Sequence, residues 1–170
     1  MGDKEEMMNW ADVIGNAIQI YQDKENFAYF YGAKGVILTQ AVMEALVNCE
    51  KAYFAKYSPK ELEAIYEYSR GKVGLDCSGF ISEITHIQNW STGFWQDSLN
   101  KTTPVLGTWG NILYTTHGGK GRHIGLDVGE GRFLHFPVEL KTCELGFIRA
   151  YDWEGSGQIK GVSYTLAGNK

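Results

Sequence analysis

Helical periodicity fills the first half of this chain and strand alternation the second, an order that predicts an α+β domain with a helical layer against an antiparallel sheet. Two stretches carry most of that reading. Gly74-Leu75-Asp76-Cys77-Ser78-Gly79 leads an extended piece into a helix, beyond which Phe80, Ile81, Ile84 and Ile87 recur at helical spacing. Arg122 to Val128 and Arg132 to Phe136 alternate apolar and polar residues around Gly129-Glu130-Gly131, the pattern of a hairpin. A chain of 170 residues, 44% hydrophobic and 21% charged, is long enough for one well-filled core and short for two. One domain over residues 1–170 is therefore expected.

Asn9, with Asp12 three residues on, caps a first helix whose apolar side is marked by Trp10, Val13, Ile14, Ala17, Ile18 and Tyr21. Phe27 to Gly35 is aromatic and then glycine-rich, giving a short extended piece that carries Tyr29 and turns at Gly32 or Gly35. A second helix is expected from about Thr39 to Lys56, with Cys49 in register with Leu38, Val42, Leu46 and Tyr53 and so read as core. Ser58-Pro59-Lys60-Glu61 combines a cap, a proline at the first helical position and a capping-box glutamate. The helix it opens, with Leu62, Ile65, Tyr66 and Ser69 inward, ends near Gly71.

After the Cys77 helix, Asn89 to Gln96 is a polar and aromatic connection in which Trp90 and Trp95 either line a binding wall or anchor a loop in the core. Gly118-Gly119-Lys120-Gly121 lacks the residues of a phosphate loop and is placed at a mobile rim before His123. Phe147 to Tyr151 and Gly161 to Leu166 read as two closing strands, and Cys143 as a bystander in a polar run.

The candidate chemistry centres on Cys77. A thiol at a helix N-terminus lies beside unpaired main-chain N–H groups and the positive end of the helix dipole, which is expected to lower its pKa toward the thiolate. Asp76 fits the cap position, accepting from the N–H of Ser78 or Gly79. The hairpin brings His123 and His135 onto neighbouring antiparallel strands, where one imidazole can take the thiol proton and the other can orient the first.

These residues resemble the NlpC-type cysteine peptidases, papain-like enzymes that cut peptide bonds in bacterial cell walls. The family's Asp-Cys-Ser-Gly is matched by Asp76-Cys77-Ser78-Gly79, its His-x-Gly strand by His123-Ile124-Gly125, and its third polar residue by His135. Ala28-Tyr29-Phe30-Tyr31-Gly32 is similar to its Tyr-x-x-Gly segment, whose tyrosine lines the oxyanion site, which places Tyr29 there. The resemblance covers roughly residues 25 to 140 and implies a papain-like fold, a peptidoglycan stem peptide as substrate cut next to D-γ-glutamyl, and no cofactor. It also implies Cys77 as nucleophile, His123 as base, His135 as orienter and Asp76 and Ser78 on the substrate side. The chain departs from the pattern in two places. Residues 37–73 form a helical insert between Tyr29 and the cysteine, resembling a phage-associated and Firmicutes branch, and Leu106 to Gly110 replaces the usual Pro-Gly-Asp strand opening.

A net charge of −4 gives no electrostatic footprint for nucleic acid and no basic face for an anionic membrane. Cysteines at 49, 77 and 143 suit neither a disulfide framework nor a metal knuckle, so no metal is expected. No apolar run is long enough to span a bilayer and the polar N-terminus does not read as a secretory signal. A monomer reaching the wall through phage holin or tail delivery, and otherwise cytoplasmic, is the expectation. The residues alone leave three other readings open: a papain-like amide hydrolase, transferase or deamidase acting on a protein, a zinc site of Cys77, His123 and His135, and a binding module with a dead site.

Overall fold

The computed structural model describes residues 7–118 and 121–165. Three short strands, β1 (Phe27–Tyr29), β2 (Lys34–Ile37) and β3 (Val73–Leu75), form a small sheet in the order β1-β3-β2, with β1 parallel and β2 antiparallel to β3. Six more strands, β4 (Leu99–Thr102), β5 (Ile112–Gly118), β6 (Gly121–Gly129), β7 (Arg132–His135), β8 (Glu144–Phe147) and β9 (Gly155–Gln158), form an antiparallel sheet in the order β4-β9-β5-β6-β7-β8. The helices are α1 (Trp10–Gln22), α2 (Gln40–Cys49), α3 (Lys51–Phe54), α4 (Pro59–Ser69), α5 (Cys77–Thr85) and α6 (Ser91–Asp97). The expected α+β architecture, a helical layer carrying Cys77 against an antiparallel sheet carrying the histidines, is what forms. No described helix is long and apolar enough to cross a membrane.

Local chemistry explains most boundaries. Asn9 Oδ1 accepts from the Asp12 N–H at 2.9 Å and starts α1, and the capping box of Ser58 and Glu61, with Pro59 at the first position, starts α4. The β6–β7 hairpin turns through Gly129, Glu130 and Gly131, all at positive φ, a conformation that glycine adopts without strain. Phe80, Ile81 and Ile84 of α5 are fully buried and meet Ile112 and Ile124 of the large sheet in the main core, together with Val13, Ile14 and Ala17 of α1. Each such side chain contributes roughly 1.5–3 kcal/mol by leaving water.

A second core gathers Ala28, Phe30, Ala33, Leu38, Met43, Phe54, Ile65 and Tyr66 between α2–α4 and the small sheet. The main-chain groups of Leu38 bond to Lys72 and Gly71 at 2.8 and 2.9 Å, so the two ends of the α2–α4 segment lie side by side.

Several expectations are corrected. The helix read over Thr39 to Lys56 breaks at Glu50, and Cys49, at the end of α2, is exposed and not core, because Met43 and Phe54 supply the buried face. Ile18 on α1 is 41% exposed, its place inside being taken by Ile20. Cys143, read as a bystander in a polar run, is buried in the main core. The two closing strands are displaced: β8 precedes a helical turn at Ile148–Ala150, β9 lies at 155–158, and Ser163 makes only an isolated bridge to Asn9. The extended pieces expected at Phe27 to Gly35 and before Asp76 form β1 and β3, whereas strand β4 had no clear sequence signal. The glycine-rich rim at 118–121 lies largely outside the described residues, as does Leu166.

Candidate active site

The start of α5 is held in place from several sides. Asp76 is extended and its Oδ1 accepts from the Gly79 N–H at 2.6 Å, the cap expected from the sequence. Its Oδ2 accepts from the Gly32 N–H at 3.2 Å, and its Oδ1 takes the Lys34 ammonium at 2.8 Å. Lys34 also bonds the Ser78 hydroxyl, and its ammonium lies 4.8 Å from the Trp90 ring centre. A Cβ at Gly79 would meet the Ala33 carbonyl at 2.6 Å, so only glycine lets α5 approach the turn after β1 this closely. Cys77 is thereby fixed at the first helical position, partly exposed on a cleft.

That cleft, of about 510 Å³, is lined by Tyr29, Tyr31, Asp76, Cys77, Ser78 and His123, with Trp90, Arg122 and Tyr151 among its rim residues. It therefore brings Cys77 and His123 together with both tyrosines of the 28–32 segment. The main-chain N–H groups of Ile124 and Ser78 act electrostatically in favour of the thiolate of Cys77, and Ile124 is the residue following His123. His123 and His135 meet through Nε2 and Nδ1 at 2.8 Å. Continuing the register Leu126↔Leu134 sets His135 opposite Gly125, one step from His123 on the same face. The missing side chain at Gly125 leaves room for Trp153, whose ring would meet a Cβ there at 3.0 Å and which stacks on His123 at 5.6 Å and 15°.

The electrostatics correct one expectation. Burial, followed by the charge of Asp76, pushes the Cys77 thiol up to about 11, and the N–H groups of Ile124 and Ser78 and the Lys34 ammonium only partly oppose this. The helix N-terminus therefore does not by itself leave a thiolate in the resting protein. Burial lowers His135 to about 4, so its imidazole is neutral at neutral pH. Its Nε2 lies 3.9 Å from Glu144 Oε1, beyond hydrogen-bond length. Tyr29 is raised well above its ordinary value, first by burial and then by Cys77. For Tyr31 burial is again the leading cause, but Glu50 and Asp76 come before Cys77. Tyr31 instead stacks on Tyr53 at 3.8 Å. Among the described residues no three His, Cys, Asp or Glu side chains are grouped so that they could hold a metal ion.

Four features escaped the sequence. Lys34 lies in a glycine-rich stretch where nothing local announces its bonds to Asp76 and Ser78. Glu139, 4% exposed, accepts from Tyr53 and Tyr57 hydroxyls at 2.6 and 2.7 Å and from the Tyr31 N–H at 3.2 Å, contacts that depend wholly on long-range packing. The aromatic shelf of Tyr151 and Trp153 under the histidines has no motif. The two tryptophans of residues 89–96 divide: Trp90, 68% exposed, lines the cleft, while Trp95 stacks on Tyr114 at 5.0 Å.

No family profile and no curated protein matches the chain in sequence. Solved structures do match in shape. The NlpC/p60 domain of the peptidoglycan hydrolase SagA aligns at a TM-score of 0.55 and 16% identity over 89% of this chain and 100% of that one. The peptidoglycan hydrolase RipB from Mycobacterium tuberculosis aligns at 0.54 and 17%, covering 92% and 68%. NlpC1 from Trichomonas vaginalis aligns at 0.50 and 14%, covering 88% and 45%. The fold is the papain-like fold of NlpC/p60 domains.

Proposed function

We propose that the protein is a cysteine peptidase or amidase that hydrolyses amide bonds in peptidoglycan stem peptides. The observation that carries this reading is the convergence in one cleft of a helix-start cysteine and a histidine whose Nε2 is engaged by a second, buried histidine at 2.8 Å. Two of the similar structures are described as peptidoglycan hydrolases, which supports the substrate class. Cleavage next to D-γ-glutamyl rests on the resemblance of the motifs.

With His123 Nε2 donating to His135 Nδ1, Nδ1 is the ring nitrogen that takes a proton from Cys77. With burial pushing the thiol up, the base acts as the thiol attacks. The sulfur bonds to the carbonyl carbon as its proton passes to His123, and the carbonyl electrons move onto oxygen. The Cys77 N–H and the Tyr29 hydroxyl stabilise that oxyanion. Collapse expels the amine, which leaves with the proton from His123, and a thioester remains. A water then gives its proton to His123 and attacks the thioester. The carboxylic acid departs, and the thiolate recovers its proton from His123. His135, kept neutral by burial, fixes the ring and tautomer of the base. Asp76 and Ser78 shape the substrate side of the cleft through Lys34.

Residues 1–170 work as one catalytic domain, with 37–73 as a helical insert of the phage-associated and Firmicutes branch. The adjacent ends of that segment support this, since β2 and β3 pair directly across its base. Action on the wall after phage or tail delivery, as a monomer, completes the reading. The test is digestion of purified walls of two chemotypes, with mass spectrometry of the fragments. New N-termini and matching D-glutamyl ends are expected. Intact stem peptides from both walls, with turnover only of protein amides, would overturn it.

A further inference from the structure

Away from the cleft, a depression of about 810 Å³ lies beside β4 and β9, lined among others by Trp10, Trp109, Asn100, Gln158, Thr102 and Tyr164. It shares no described lining residue with the cleft. It sits at the Asn111 end of β5, where Gly110 bonds Asp127 of β6, and His123 is four residues further along that strand, about 13 Å at the usual strand rise.

Its chemistry is unusual for this molecule. None of its described lining residues is charged, although 21% of the chain is. Two indoles, a phenol, amides and hydroxyls converge there instead. Trp109 is 42% exposed, yet its ring is fixed: a Cβ at Gly129 would meet it at 2.5 Å, and it meets Trp10 edge-on at 6.2 Å. Asn100, held at a positive φ of 52, donates its amide to Gln158 Oε1 at 2.8 Å, so the pair stands as a braced polar wall. Thr108 and Tyr164, by contrast, are tied into Asp127 and Gly110 and make the floor.

An indole of fixed orientation beside braced amides, without charge, matches a ring that is apolar on its C–H face and rimmed with hydroxyl and amide groups. We propose that this depression binds a neutral N-acetylated hexosamine unit of a glycan strand. The amides of Asn100 and Gln158 meet its acetamido group, and Trp109 meets its C–H face. The source of that strand rests on the wall reading above, while the chemistry of the depression does not. A site here would hold the glycan while the cleft works on the peptide.

The test is titration of the full chain with the N-acetylglucosamine tetramer, followed by tryptophan fluorescence and amide chemical shifts, with the glucose tetramer as comparison. Saturable binding, weaker for the glucose tetramer and weakened about tenfold by the double change Asn100→Gly and Gln158→Ala, is expected. Asn100→Gly suits the positive φ, so this variant keeps its fold where Trp109→Ala, which empties the packing on Gly129, risks losing it. Turnover of a soluble stem peptide should be unchanged in the double variant and turnover of intact walls should fall. Absence of saturation, or equal binding by the double variant, overturns the site, and equal binding of both tetramers overturns its assignment to an N-acetylated sugar. Sugar binding without stem-peptide cleavage leaves the site standing and overturns the reading of the cleft; cleavage without sugar binding does the reverse.

Discussion

The two cores of the molecule contribute to the cleft in different ways. Around the main core, α5 and the β6–β7 hairpin hold Cys77, His123 and His135 through main-chain features: a capped helix start, a hairpin register and a glycine opposite His135. Around the second core, α2–α4 and the turn after β1 supply a wall of Tyr31, Glu50 and Tyr53, in which the Glu139 carboxylate accepts from the Tyr53 hydroxyl and the Tyr31 N–H and the Tyr31 ring stacks on Tyr53. Main-chain placement is rigid to a fraction of a residue and suits groups that transfer protons. Side-chain placement is adjustable and suits recognition. Changes in the first region should therefore act on kcat, and changes in the second on KM.

The sharpest division comes from the nucleophile and base. Cys77→Ala and His123→Ala should each lower kcat by roughly 10⁴-fold or more, with the melting temperature nearly unchanged. Cys49→Ser, at an exposed helix end, should leave both untouched. Cys143→Ser buries a hydroxyl in the main core and should cost stability while sparing turnover. Near wild-type turnover in either of the first two variants would end the cysteine mechanism.

His135 links the two properties, because its burial is a stability statement as well as a catalytic one. The unfolded chain protonates this imidazole near 6.5, whereas the folded protein does so only at about 4. Between those values the unfolded state carries more protons, so acidification favours unfolding. The contribution is fully present above about pH 6.5 and is lost toward pH 4, amounting to at most about 3 kcal/mol. Urea midpoints measured from pH 7 to 4 should fall more steeply for wild type than for His135→Asn. That variant should also keep more activity than His135→Ala. Parallel pH curves would show that His135 is not held neutral.

Tyr29 tests the boundary between the regions, since it lies on β1 yet its hydroxyl is raised first by burial and next by the ionisable Cys77. Tyr29→Phe should lower kcat about a hundredfold by removing one oxyanion donor. Tyr31→Phe should leave kcat alone, because that ring is stacked on Tyr53. The reverse outcome would move the oxyanion role to Tyr31 and the second region into the chemistry.

How far each region was legible follows the same line. The helix cap at Asp76, the capping box at Ser58, the Gly129 turn and the spacing of the two histidines are local signals, and all reappear in the structure. The rest depended on contacts between residues far apart in the chain. Periodicity put Cys49 on the inner face of a long helix, but the break at Glu50 turned that end outward. Trp90 and Trp95 have similar local sequences, and only the packing of Trp95 on Tyr114 separates wall from core. The helix terminus beside Cys77 can be read from sequence, whereas the desolvation that pushes its thiol up cannot.

The smallest expected effect falls on the joint between the regions. Glu139 is buried on the connection from β7 to β8, and the hydroxyls of Tyr53 and Tyr57, both beyond α2, reach it at 2.6 and 2.7 Å. Burial, and then the bond to Glu139, raises the Tyr57 hydroxyl, so it stays a neutral donor at every working pH. Tyr57→Phe removes one of these two donors but leaves Tyr53 and the Tyr31 N–H on the carboxylate, which avoids an orphaned buried charge. The cost should be only about 1 kcal/mol in a urea titration. If the second region shapes recognition, the loosened wall of Tyr31 and Tyr53 should raise KM for a stem peptide by about two- to fivefold, with kcat held. A fall in kcat at constant KM would mean that the joint transmits to the nucleophile, and that the helical segment belongs to the catalytic apparatus and not to the wall.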